Sequence, residues 1–111
     1  MALLDVDVAD LLGREEIVLD TRIASSYISG ETVLVTGGGG SIGSELCRQL
    51  AKVAPARIVV FDIYENDAYL LRLELLSEYD DVDVRVEIGS VCDRKRVDEL
   101  FERYRPSAVF H

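Results

Sequence analysis

The sequence predicts an α/β domain built on a parallel sheet, and three observations carry that expectation. Apolar, β-branched runs alternate with helix-period segments from Glu31 to His111. The first of those runs opens directly into the glycine-rich stretch Thr36-Gly37-Gly38-Gly39-Gly40-Ser41-Ile42-Gly43 and then into a helix pattern. The resulting order, βαβαβαβ, requires right-handed crossovers that place helices on both faces of the sheet. Three layers and the strand order 3-2-1-4 are therefore expected.

The leader, residues 1–30, has its own punctuation and is expected to be helical in the main. Residues 8–12 read as a short helix that Gly13 stops. Residues 16–19 read as extended, and Asp20 or Thr21 can cap a second short helix carrying Ile23, Tyr27 and Ile28, closed by Gly30. The domain proper is 31–111. Its first strand, 32–36, is apolar on both sides, as a strand buried on both faces should be. The helix over 41–53 turns Ile42, Leu46, Leu50 and Val53 inward, and Pro55 ends it. A second buried strand covers 57–61. The helix over 65–78 has a broad apolar surface: Ala68, Leu70, Leu71, Leu73, Leu75 and Leu76.

The third strand alternates, with Val82, Val84, Val86 and Ile88 on one face and Asp83, Arg85 and Glu87 on the other. Such a pattern suits a sheet edge, where one face meets water more readily. Asp93 can cap a third helix bearing Val97, Leu100, Phe101 and Tyr104 at i, i+3, i+4 and i+7. Pro106 breaks that helix, and 108–111 begins a fourth strand.

Composition narrows the partners. A chain of 111 residues, 49% hydrophobic and 30% charged, is ordinary for one ordered domain. No apolar run approaches the roughly 20 residues of a membrane helix, and no secretory signal pattern opens the chain. A cytoplasmic chain with no direct membrane contact is expected. The formal charge of −9 argues against nucleic acid, and the one basic cluster, Arg94-Lys95-Arg96, reads as a solvated helix face. Cys47 and Cys92 lack metal or redox spacing and His111 is the single histidine, so free thiols and no metal are expected.

The chemistry is concentrated in the glycine stretch. Between a buried strand and a helix start, Gly37 can make the tight turn, Gly40 can admit a pyrophosphate to the backbone, and Gly43 can let helix and strand pack closely. The free N–H groups of the first helical turn then face the phosphates at the favourable end of the helix dipole, and Ser41 adds a hydroxyl. No Gly-Lys-Ser/Thr follows, which excludes a P-loop. Asp62 ends the second strand nineteen positions after Gly43. An acid there can accept both ribose hydroxyls and would repel a 2′-phosphate, favouring NAD over NADP, although other loops could still accommodate the phosphate. The third strand ends in Gly89-Ser90-Val91-Cys92-Asp93, which places Ser90 and the Val91 backbone beside an adenine. Asp93 reads as a helix cap. These are the marks of a Rossmann-type fold that takes a nicotinamide dinucleotide.

These spacings resemble the extended branch of the short-chain dehydrogenase/reductase superfamily, whose fingerprint is Thr-Gly-x-x-Gly-x-x-Gly. More narrowly, Asp10 to Glu15, Gly38 to Gln49, Asp62 to Asn66, and Tyr104-Arg105-Pro106 with Ala108 to His111 are similar to the polysaccharide-biosynthesis sugar dehydratases. That resemblance implies a nucleotide-sugar 4,6-dehydratase, typically acting on UDP-N-acetylglucosamine, with hydride taken from C4, water lost across C5 and C6, and hydride returned to C6. It also implies Gly37, Gly40, Ser41, Ile42 and Gly43 at the pyrophosphate, Asp62 and Ile63 at the adenine ribose, and Ser90 with Val91 at the adenine. Many extended members carry an aspartate where Ser90 stands. His111 would begin a loop that approaches the nicotinamide side.

No catalytic residue is expected in the chain. None of the five tyrosines has a lysine four positions on, so the Tyr-x-x-x-Lys pair is absent, and the sugar-binding lobe is absent as well. The expectation is a domain cut after strand four, with an open edge there and the broad leucine face of the second helix available for self-association. A UDP-sugar would be a partner only of a full-length parent, which segments absent here could anchor to a membrane. Two alternatives stand beside the dehydratase: a non-catalytic NAD(P)-binding module, and a piece of a related sugar epimerase or ketoreductase.

Overall fold

From Glu31 onward, each β-branched run forms a strand and each helix-period segment a helix. The computed structural model describes residues 4–6 and 27–111. The strands are β1 (Leu4–Val6), β2 (Thr32–Thr36), β3 (Arg57–Asp62), β4 (Asp83–Ile88) and β5 (Ala108–Phe110). The helices are α1 (Ser41–Ala51), α2 (Glu65–Glu78) and α3 (Arg94–Tyr104). All strand pairs are parallel, in the order β1-β5-β2-β3-β4. The four anticipated strands thus stand in the anticipated 3-2-1-4 order, as β4-β3-β2-β5.

Two expectations about the leader need correction. The outer edge of β5 is not open: Leu4–Val6 pairs along Ala108–Phe110, residue for residue. The leader is accordingly not helical throughout. The segments 8–12 and 16–19, and Ile23, lie outside the described residues. Tyr27 and Ile28 are helical as expected, with Ile28 buried in the core and Tyr27 exposed.

Side-chain alternation along the buried strands divides the interior into two layers. Val33 and Val35 of β2, Ile58 and Val60 of β3, and Ala108 and Phe110 of β5 face α1 and α2, packing with Leu46, Leu50, Ala68, Leu71 and Leu75. Leu34, Val59, Phe61 and Val109 face the other way, onto Leu100 of α3 with Val97, Phe101 and Tyr104 beside it. Cys47 lies wholly inside the first layer, where burial pushes its thiol up to about 12. Both cysteines are free, and Cys92 is exposed.

The helices depart from their patterns in two places. Ile42 does not turn inward; it is 55% exposed, because the first turn of α1 projects beyond the end of the sheet. On α2 only Ala68, Leu71 and Leu75 are buried, while Leu70 and Leu73 are 65% and 62% exposed. A single sheet face can receive one stripe of a helix, so Leu70 and Leu73 stay outside and Leu76 is half-buried. Helix α3 ends as its sequence requires: Arg105 adopts a left-handed conformation at φ 46°, its N–H donates to Phe101 O at 2.9 Å, and Pro106 follows.

The polar face of β4 is only partly wet. Arg85 is exposed, but Glu87 lies under α3 with its side chain 13% exposed. Its carboxylate accepts hydrogen bonds from the Tyr104 hydroxyl, from Arg96 at 2.6 Å and from Arg103 at 3.4 Å. Burial acts to raise this carboxyl, but those donors and the two guanidinium charges outweigh it and hold it below its ordinary value. Tyr104 moves the opposite way, raised by burial and by its bond to Glu87. Among the described residues, no helix is long and apolar enough to cross a membrane.

Candidate functional site

Parallel pairing brings the carboxyl ends of the strands to one side of the sheet. Thr36 stands beside Phe61, Asp62 beside Ile88, and Val35 beside Phe110. The glycine loop, residues 63–64, residues 89–93 and His111 therefore share one rim. After β2 the chain builds outward through β3 and β4, then returns to the other flank of β2 with β5. Sheets of this kind receive ligands where the strand order reverses, here between β2 and β5.

The glycine loop is stitched at both ends. Gly37, at φ +65°, donates its N–H to Phe61 O at 2.7 Å, and Gly40 donates to Gly37 O at 3.1 Å. A positive φ at position 37 is the tight turn that the sequence required of a glycine. The first bond within α1 runs from Ser44 N–H to Gly40 O at 2.8 Å. The N–H groups of Ser41, Ile42 and Gly43 precede it and point out of the helix end, where the dipole favours an anion. Gly43 is fixed by space: a Cβ there would fall 2.2 Å from Gly37 O.

Asp62 is buried at 7% exposure, and both its carboxylate oxygens are engaged. Oδ2 accepts the Gly39 N–H at 2.8 Å, and Oδ1 accepts the Tyr64 N–H at 3.0 Å. The second bond closes an Asx turn that starts α2, whose N-cap residue Tyr64 supplies no side-chain cap of its own. Ile63 and Tyr64 project outward, 55% and 64% exposed. At the end of β4, Ser90 Oγ accepts the Cys92 N–H at 3.1 Å, and Val91 is exposed. Asp93 caps α3 as expected, accepting the Arg96 N–H at 3.2 Å.

The rim thus brings together Gly37, Gly40, Ser41, Ile42, Gly43, Asp62, Ile63, Ser90 and Val91. Two features were not visible in the sequence. Thr36 Oγ1 lies 2.8 Å from His111 Nδ1, a bond that spans the reversal point between β2 and β5. His111, Thr36 and Val91 also border one cleft of about 200 Å³ floored by Leu34, Phe61, Leu100 and Val109. The second feature is Gly39, which stands at a freely variable position of the fingerprint yet is the partner of Asp62. Its only signal was a glycine where the motif asks for none.

Together these features define a Rossmann-type α/β protein with its glycine loop at the strand-order reversal. The chain belongs to the polysaccharide biosynthesis protein family, whose profile matches residues 33–111. It is 42% identical over 108 residues to the probable polysaccharide biosynthesis protein EpsC of Bacillus subtilis, a match covering 96% of this chain and 18% of that protein. It is 38% identical over 80 residues to a dTDP-glucose 4,6-dehydratase of Neisseria meningitidis, covering 71% of this chain and 22% of that one. Among solved structures, A-type ketoreductases from a modular polyketide synthase superpose with a TM-score of 0.65 at 30% identity, over 76% of this chain and 19% of theirs. The chain spans about a fifth of the length of these proteins.

Proposed function

We propose that this chain seats a nicotinamide dinucleotide, NAD in preference to NADP, as the cofactor-binding portion of a nucleotide-sugar 4,6-dehydratase of the UDP-N-acetylglucosamine type. The observation that carries the reading is the strand–loop–helix unit from Thr36 to Gly43, placed at the reversal of strand order with Asp62 ending the next strand. The dehydratase and polysaccharide-biosynthesis relatives support the sugar-nucleotide part.

When bound, the nicotinamide supplies reversible hydride acceptance, which a 4,6-dehydration needs. The chain's own residues bind and orient. Ser41, Ile42 and Gly43 offer N–H groups to the pyrophosphate, and the Ser41 hydroxyl adds a donor. Asp62 receives the adenine ribose with Ile63 beside it, and its negative charge opposes a 2′-phosphate. Ser90 and Val91 border the adenine, with Val91 supplying apolar surface. No tyrosine here has a lysine four positions on, so a Tyr-x-x-x-Lys proton-transfer pair is not among these residues.

Calorimetric titration of the chain with NAD and NADP tests this directly. The expected result is saturable binding with NAD the tighter ligand. Heat from neither dinucleotide would contradict the cofactor role, and tighter binding of NADP would contradict the preference assigned to Asp62.

A further inference from the structure

We propose that Asp62 is also a positioning residue for the glycine loop: through the Gly39 N–H its carboxylate holds the loop in the shape that presents Ser41, Ile42 and Gly43 to an anion. This inference rests on the dinucleotide reading above and adds a second task for the residue, performed before any ligand arrives. Four consecutive glycines, Gly37 to Gly40, form the most costly kind of segment to order, because glycine loses the most backbone freedom on folding. Backbone bonds fix its two ends, from Gly37 N–H to Phe61 O and from Gly40 N–H to Gly37 O. Between them, the 2.8 Å bond from Gly39 N–H to Asp62 Oδ2 is the side-chain restraint.

The carboxylate is built for that task. A group placed only to greet a ligand would stand open to solvent, whereas Asp62 is 7% exposed. A buried carboxylate is costly unless it is hydrogen-bonded, and two N–H donors meet it, those of Gly39 and Tyr64. Gly39 is matched to it in space. A Cβ at that position would fall 3.0 Å from Asp62 Oδ2, from the Ala68 nitrogen and from Asp67 Cβ, so a side chain there would require these neighbours to give by a few tenths of an ångström. The Gly39 N–H is consequently committed to the protein. The N–H groups of Ser41, Ile42 and Gly43 at the start of α1 stay directed to an anion.

A ribose contact and a loop restraint are separated by a probe that lacks the ribose hydroxyls. Wild type and Asp62→Ala are titrated with ADP and with 2′,3′-dideoxy-ADP. A charge-assisted hydrogen bond of ordinary strength corresponds to roughly a tenfold or greater effect. The restraint therefore predicts about a tenfold or greater loss of dideoxy-ADP affinity in Asp62→Ala. An Asp62 that serves the ribose alone predicts a loss for ADP and none for dideoxy-ADP, which would overturn the proposal. Amide hydrogen exchange of ligand-free wild type gives a second readout, immune to any folding defect of the variant: the Gly39 N–H is expected to be protected, and free exchange there would also overturn it. Wild-type protein that binds neither nucleotide would overturn the dinucleotide reading itself and this inference with it.

Discussion

At Gly43 the usual sign of a helix substitution is reversed. Replacing glycine by alanine inside a helix ordinarily stabilises by about 1 kcal/mol. Here the added methyl would sit 2.2 Å from Gly37 O and 2.9 Å from Gly38 Cα, all backbone that cannot rotate aside. Gly43→Ala is expected to destabilise the chain by about 2–3 kcal/mol, read as a lower urea midpoint, because the loop or helix must shift. A midpoint equal to wild type or higher would show that the loop yields freely. Gly37, Gly43 and Asp93 were legible in the sequence because their roles are set by spacing along the chain, as was the place of Asp62 at the end of its strand. Gly39 and Ile42 were not. Spacing does not reveal which acceptor receives a given N–H, and the inward stripe of α1 could not be extended to its first turn without knowing where the sheet ends.

Among the elements, the pairing of β4 with α3 makes a pH-dependent contribution. Glu87 is held below its ordinary value near 4.5, so its folded-state pKa lies below its unfolded one. A carboxylate shifted in that direction stabilises the fold above the unfolded pKa, and this contribution is lost as pH falls through the folded pKa. Glu87→Gln is therefore expected to lower stability at neutral pH by about 1–3 kcal/mol and to flatten the acid limb of the stability profile below about pH 5. Urea melts across that range check it, and an acid limb unchanged in the variant would assign the pH dependence to other carboxylates. Tyr104 is raised above its ordinary value. Its contribution has the opposite sense, present below the unfolded pKa and lost as pH rises through the folded one. The alternation of β4 marked it correctly as an edge strand. It could not show that α3 would fold over Glu87, because that contact joins residues nine to seventeen positions apart. The breadth of the leucine face on α2 was visible, but not which stripe of it the sheet would take.

For the molecule as a whole, the order of the four anticipated strands followed from the alternation of elements and the handedness of crossovers, both readable in the sequence. The three residues of β1 were not recognisable, since Leu4–Val6 is too short to carry a period and acquires its strand character only by pairing with β5. With that edge covered, the rim at the carboxyl ends of the strands is where binding is expected to register. The account stands on a dinucleotide occupying that rim, and amide chemical-shift mapping of the whole chain during titration with NAD tests it most directly. The expected result is a contiguous set of perturbed amides led by Ser41, Ile42 and Gly43, with Ile63, Ser90 and Val91 joining at the adenosine end. No perturbation at saturating NAD, or one confined to residues away from the glycine loop, would contradict it.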